Sequence, residues 1–140
     1  MTPREIALVQ ASWKQVGPIA EQAAELFYDR LFALEPSVRA MFKGDMKEQG
    51  RKVMSMITVA VNSLARLESI LPAVRALGRR HAGYGVEARH YAIVEEALLA
   101  TLAQGLGAQF TEEVETAWRT AYRALASTMQ QSTEEEVHAS

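Results

Sequence analysis

The amino-acid sequence predicts an all-α domain, and three observations support this prediction. Apolar residues recur at helical spacing along most of the 140 residues, strand-like alternation is nearly absent, and four prolines and eight glycines separate the periodic stretches. A chain of this length can bury most of the apolar surface of its unfolded form in one core. We therefore expect a single domain over residues 1–131, followed by a frayed tail over residues 132–140.

Clear signals bound the first two helices. Thr2-Pro3-Arg4-Glu5 has the pattern of a capping box with proline at the first helical position, and Trp13 lies on the apolar face that follows. Gly17-Pro18 ends this helix. The second helix, which carries Phe27, must stop before Pro36 because the residue before a proline disfavours helical backbone. A short turn is expected from Pro36.

The later helices are predicted from their apolar faces. They cover residues 53–64, about 72–83, about 86–106 and about 112–131, the last with Thr111 as its N-cap. Connections of such uneven length disfavour an up-down four-helix bundle. The sequence therefore predicts six or seven helices, two of them short.

Composition excludes several classes of function. Fifteen basic and seventeen acidic residues give a net charge of −2, which predicts neither nucleic-acid nor membrane binding. The chain has no cysteine, which excludes disulfides, thiolate metal sites and cysteine nucleophiles. The N-terminal segment lacks the uninterrupted apolar run of a secretory signal, so we expect a cytoplasmic protein.

The residues on these helices resemble those of the globins over about residues 3–130. The resemblance is carried, in chain order, by Trp13, Phe27, Tyr28, Pro36, Phe42, Gln49, Val53, His81 and Tyr91. Three segments are similar to the haem domain of bacterial flavohaemoglobins and to their single-domain relatives: EQGRKVM (48–54), LPAVRALGRRHAGYGV (71–86) and ARHYAIVEEALL (88–99). The resemblance implies a globin fold, with six to eight helices in 3-on-3 packing around haem b, iron protoporphyrin IX.

His81 is the candidate iron ligand among three histidines. His138 falls in the predicted tail and His90 at the start of a helix, where we expect exposure, whereas His81 lies on an apolar helical stripe. Taken alone, such a histidine is more often a core residue bonded to a backbone carbonyl. The resemblance implies instead that His81 binds the iron while its other ring nitrogen bonds to the carbonyl of Leu77.

On the opposite iron face, the resemblance implies that Tyr28 and Gln49 donate hydrogen bonds to a gas and that Val53 limits the space above it. Without the resemblance, the simpler interpretation is that Tyr28 lies at the edge of the core with its hydroxyl in solvent and that Gln49 is a surface residue in the first turn of a helix. Lys52 is a candidate sixth iron ligand, although an exposed lysine is the simpler interpretation.

Further residues are implied to surround the cofactor. Phe42 resembles the aromatic residue that packs on the porphyrin plane. The rest of the pocket is implied to include Leu77, Val86, Tyr91, Val94 and Leu98, and Arg79 and Arg80 are candidates to pair with the haem propionates. In flavohaemoglobins the counterpart of Tyr91 acts with a glutamate. Here that glutamate position falls at Thr133, beside Glu134.

Three functions remain open from the sequence. The leading one is reversible binding of dioxygen, nitric oxide, carbon monoxide or a similar ligand for storage, delivery or sensing. The alternative is a nitric oxide dioxygenase or weak peroxidase that works with a separate reductase, because 140 residues leave no room for a flavin and NADH domain. The third is a helical interaction domain without haem, which His81 and Phe42 argue against.

Overall fold

Residues 1–139 fold into six α-helices, and short 3₁₀ segments lie in four of the five connections between them. A computed structural model describes the backbone of residues 1–139 and the side chains of residues 1–132, and residues 1–139 contain no strand. The helices are α1 (Pro3–Val16), α2 (Ala20–Leu34), α3 (Met46–Asn62), α4 (Leu71–Gly83), α5 (Ala88–Leu106) and α6 (Glu112–Ala139). The 3₁₀ segments are Gly17–Ile19, Pro36–Met41, Leu64–Ile70 and Gly107–Gln109. The predicted all-α class is confirmed.

Within the described part of the chain, no single helix has both the length and the apolar character needed to cross a membrane. The segments Met46–Asn62 and Leu64–Gly83 meet those criteria only when they are taken together. The break between them bends the pair by 107°.

Local hydrogen bonds explain where several helices begin. The hydroxyl of Thr2 accepts from the amide of Glu5 at 3.1 Å, and the Glu5 carboxylate accepts from the amide of Thr2 at 2.9 Å, which completes the predicted capping box. Asp45 caps α3 by accepting from the amide of Lys47 at 2.9 Å. Thr111 accepts from the amide of Val114 at 3.2 Å. Each bond satisfies an amide that the helix itself leaves unpaired.

Two tryptophans tie the first and last helices together in the core. The ring centroids of Trp13 and Trp118 lie 5.8 Å apart. The indole nitrogen of Trp118 donates to the hydroxyl of Ser12 at 2.9 Å, and that of Trp13 donates to the hydroxyl of Thr58 at 3.0 Å. The two large apolar rings are therefore buried without leaving their N–H groups unpaired, and they connect α1 to both α6 and α3.

A buried carboxylate joins α5 to α6. Glu95 is only 6 % exposed, and it accepts from Arg123 at 2.8 Å and from Arg119 at 3.4 Å. A buried charge is tolerated when it is paired in this way, whereas removal of its partners leaves the charge uncompensated.

The helix α4 lies directly on the backbone of α6. A Cβ atom added to Gly78 would lie 2.5 Å from the carbonyl oxygen of Met129 and 2.7 Å from its Cα. Beside this contact, the buried hydroxyl of Ser132 shares its proton between the carbonyl of Met129 on its own helix, at 2.8 Å, and the carbonyl of Arg75 on α4, at 3.0 Å. These contacts determine how close α4 can come to α6.

Residues 132–140 were expected to form a frayed tail. The backbone of α6 continues to Ala139, and Ser132 is 2 % exposed. The side chains of residues 133–140 lie outside the described residues, so the frayed tail stays a prediction.

The exposure that we predicted for His90 is wrong. The ring is 4 % exposed, and its Nδ1 accepts from the amide of Glu87 at 2.8 Å. The ring folds back to satisfy a backbone amide at the start of α5, which turns it away from solvent. Because Nδ1 accepts a hydrogen bond, the proton of the neutral ring is on Nε2. Nε2 has no hydrogen-bond partner among the described residues.

We predict that Gly78→Ala destabilises the fold by about 1–3 kcal/mol, because the new methyl group meets backbone atoms that cannot rotate away. Chemical denaturation measures this change as the free energy of unfolding. Gly83→Ala is the matched control, since it lies at the end of the same helix with no atom within 4 Å of the added Cβ. Equal stability of the two variants would contradict the close contact of α4 with α6.

Candidate functional site

His81 presents a free ring nitrogen from the last turn of α4. The half-buried ring places Nδ1 2.8 Å from the carbonyl oxygen of Leu77, the bond that the resemblance implied. A carbonyl oxygen can only accept a hydrogen bond, so Nδ1 of His81 carries the proton and Nε2 keeps a lone pair. Burial lowers the pKa of His81, the bond to Leu77 opposes this effect, and the charge of Arg80 adds to it. The ring is therefore neutral at pH 7, which is the form that binds a metal.

The chain after α4 is tied back to His81. The amides of Tyr84 and Val86 donate to the carbonyl of His81 at 3.0 and 3.1 Å. Between them, Gly85 has a φ of 90°, a conformation that favours glycine. This turn places Val86 directly after the helix end that carries the imidazole.

An aromatic cluster lies on α2 and in the segment after it. Tyr28 is 5 % exposed, and its ring centroid lies 5.2 Å from that of Phe42 in an edge-on arrangement. Phe32 completes the cluster, with ring centroids 5.8 Å from Tyr28 and 5.7 Å from Phe42. Phe32 was not among the residues predicted from the sequence, although it lies four residues after Tyr28 and therefore on the same face of α2.

Tyr28 contacts the start of α3 through its hydroxyl. The hydroxyl donates to the backbone carbonyl of Gln49 at 3.3 Å. The approach is close because Gly50 lies against Ala24, where an added Cβ would come within 3.0 Å of the alanine methyl. Burial raises the pKa of Tyr28 to about 12, so the hydroxyl stays a proton donor at neutral pH. The half-buried side-chain amide of Gln49 has no hydrogen bond to the described residues.

The predicted site residues thus fall into two groups. One group joins His81, Leu77 and Val86 at the end of α4, and the other joins Tyr28, Phe42 and Gln49 where α2 crosses α3. No hydrogen bond connects the two groups among residues 1–132. Two further site candidates are half-buried and pack against the core, namely Val53 on α3 and Val94 on α5.

Tyr91 and Leu98 line different parts of the interior on α5. The carbonyl of Tyr91 accepts from the hydroxyl of Tyr122 at 2.6 Å, and burial raises the pKa of the Tyr122 hydroxyl. Leu98 is buried and borders an apolar cavity of about 70 Å³ together with Ile57 and Tyr122. The bond from Tyr122 was not predictable from the sequence, because its acceptor is a backbone atom that carries no sequence signal.

Three charged candidates are exposed. Arg79 and Arg80 form no ion pair with the described residues, and the Lys52 ammonium lies 3.9 Å from the Glu48 carboxylate. Their assignments to haem propionates and to a sixth coordination position stay predictions.

A model of the family described as Globin matches residues 25–129. This range is most of the chain and contains both groups of site residues, and the chain belongs to the globin family. Relatives include the flavohemoprotein of Bordetella parapertussis, which is 30 % identical over 90 % of this chain and 32 % of its own length. The neuroglobin of Danio rerio is 29 % identical over 92 % of this chain and 90 % of its own. The chain therefore spans about a third of the flavohemoprotein and nearly all of the neuroglobin.

Tyr122→Phe is expected to lower the free energy of unfolding by about 1 kcal/mol, since the carbonyl of Tyr91 loses its donor. Tyr84→Phe is the control, because Tyr84 is 68 % exposed. The comparison uses denaturant titration of both variants. A Tyr122→Phe protein as stable as the control would show that this bond contributes nothing.

Proposed function

We propose that the chain holds one haem through His81 and reversibly binds dioxygen or a related diatomic gas. The observation that carries this proposal is the half-buried imidazole, with Nδ1 bonded to Leu77 and Nε2 free. A histidine oriented by a second hydrogen bond is the usual axial ligand in gas-binding haem proteins. Membership of the globin family supports the same assignment, as do relatives named flavohemoprotein and neuroglobin.

Half-buried apolar residues around His81 and on α3 support the proposed cofactor site. Half-buried side chains on α3, on α4, in the turn after α4 and on α5 keep part of their surface accessible: Val53, Leu77, Val86, Tyr91 and Val94. A large apolar ring system would cover such surface favourably, and the ring of Phe42 supplies an aromatic partner. Haem b, when bound, supplies the iron to which the gas attaches. Arg79 and Arg80 are exposed guanidinium groups available for its propionates.

Tyr28 and Gln49 are the proposed donors to the gas. The bond from Tyr28 to the Gln49 carbonyl is long at 3.3 Å, so little is lost when the hydroxyl turns to another acceptor. Burial strengthens a hydrogen bond by excluding competing water. Val53, one helical turn after Gln49, would restrict the space available to the gas.

Reversible binding requires only an axial ligand and these donors, whereas oxidation of nitric oxide also requires a supply of electrons. The flavohemoproteins, of which this chain spans about a third, suggest this second role. The glutamate that would favour it in flavohaemoglobins has its position here at Thr133, which carries no carboxylate, with Glu134 beside it. The side chains of both residues lie outside the described residues. We therefore favour gas binding over the enzymatic role.

We expect His81→Gly to lose stable haem retention, because no other described group offers a free imidazole nitrogen at this position. The absorbance of the Soret band after gel filtration measures retention. Added imidazole should restore the band by filling the space left by the side chain. A variant that retains haem fully without imidazole would contradict the assignment of His81.

Tyr28→Phe should speed dioxygen dissociation about tenfold or more, which corresponds to the loss of one hydrogen bond of about 1.4 kcal/mol. Stopped-flow displacement of dioxygen by carbon monoxide measures this rate. Tyr84→Phe removes a hydroxyl from an exposed ring and should leave the rate unchanged. An unchanged rate in Tyr28→Phe would remove Tyr28 from the proposed role.

A further inference from the structure

The connection between α4 and α5 is a short turn, residues 84–87, that directly follows the helix end carrying His81. Tyr84 is 68 % exposed, and a Cβ added to Gly85 would meet no atom within 4 Å. Val86 is half-buried, and its amide donates to the carbonyl of His81 at 3.1 Å. Because the middle of the turn faces solvent, its position depends on hydrogen bonds at its two ends.

The first residues of α5 hold the far end of this turn. Glu87 is the N-cap of the helix, and its amide donates to Nδ1 of the buried His90 ring at 2.8 Å. The Glu87 carboxylate accepts from Nε of Arg89 at 2.9 Å. The end of the turn is thus bonded to α5 through both its backbone and its side chain.

Arg89 also connects the turn to the end of α2. Its Nη1 donates to the carboxylate of Glu35 at 2.6 Å, across 54 positions of the sequence. The other oxygen of this half-buried carboxylate accepts from the hydroxyl of Ser37 at 2.6 Å. The bonds from Ser37 and Arg89 lower the pKa of Glu35, which is therefore charged at neutral pH. A guanidinium that bonds to two carboxylates is a stronger link than an isolated surface pair.

This link joins the elements that carry the two groups of site residues. Glu35 follows α2, which carries Tyr28, and precedes the segment that leads to Phe42. Arg89 follows the turn that begins at the helix end of His81. No other ion pair in the described part of the chain connects α2, or the segment after it, to α5. The pair of Glu35 and Arg89 is therefore the ionic connection between the two halves.

We propose that Arg89 is a positioning residue for the haem. By bonding to Glu35 and Glu87, it holds residues 84–87 against the end of α4 and so slows the loss of the cofactor. The effect on the cofactor rests on the proposed function, whereas the restraint of the turn follows from the bonds alone.

The first measurement is hydrogen exchange of the Val86 and Glu87 amides in the full chain, followed by NMR with and without haem. Arg89→Gln should speed exchange of both amides about threefold, which is within the range of a partly exposed ion pair. Arg4→Gln is the matched control, because Arg4 pairs with Glu113 and joins α1 to the start of α6, where no site residue lies. It should leave both rates unchanged. Denaturant titration should give the two variants the same free energy of unfolding, so that faster exchange reports a local opening.

A double-mutant cycle tests whether Arg89 acts through Glu35. Glu35→Gln should also speed exchange of the Val86 amide, and the double variant should exchange no faster than Arg89→Gln alone. The difference between the wild-type chain and Arg89→Gln should shrink as salt is raised, because exposed charges are screened. Additive effects of the two substitutions, or equal exchange in Arg89→Gln and Arg4→Gln, would overturn the proposal.

The rate of haem transfer from the loaded chain to excess apomyoglobin connects the turn to the cofactor. Arg89→Gln should lose haem about threefold faster than the wild-type chain, whereas Arg4→Gln should lose it at the wild-type rate. A normal Soret band with an unchanged rate of loss would overturn the positioning role alone. A chain that takes up no haem would contradict the proposed function and the positioning role together, and the exchange rates without haem would still test the restraint of the turn.

Discussion

The contact between α4 and α6 at Gly78 is the constraint on which the candidate site depends. His81 lies three residues after Gly78 on the same helix, so the position of the imidazole follows from how deeply α4 lies on α6. A larger residue at 78 would push α4 outward by the size of a methyl group. The hydroxyl of Ser132, which donates to the carbonyl of Arg75, holds the same two helices one turn away. The packing of α4 on α6 therefore sets the position of the His81 side chain.

The two halves of the site are built by different interactions. The half around His81 depends on helix packing and on one hydrogen bond to Leu77, which selects the tautomer. The half around Tyr28 depends on aromatic contacts with Phe32 and Phe42. The first half supplies a lone pair and the second a proton donor, and the proposed function requires that a bound ligand lie between them.

Much of the fold was predictable from the sequence because local rules act over a few residues. The capping box at Thr2 and the stop before Pro36 depend only on neighbours, and both occur as expected. His81 was selected as a candidate because it lies on an apolar stripe in a context that resembles the globins, and its expected bond to the carbonyl of Leu77 is present. The burial of Glu95 and His90 was not predictable in this way, since it depends on arginines from α6 and on a backbone amide.

Other features were hidden because they depend on contacts between residues that lie far apart in the sequence. Gly78 is unremarkable in the sequence, because nothing near it indicates that Met129 will lie against it. Phe32 shared a helix face with Tyr28, but only the position of Phe42 made that spacing relevant to the site.

The most direct test of the haem site is a spectroscopic titration of the full chain with haem, followed by reduction, removal of the reductant and exposure to air. The account predicts that the Soret band saturates at one haem per chain and that an oxygenated spectrum persists for hours. Rapid conversion to the ferric spectrum would contradict reversible gas binding and favour a redox role. Failure to saturate at one haem per chain would contradict the haem site itself.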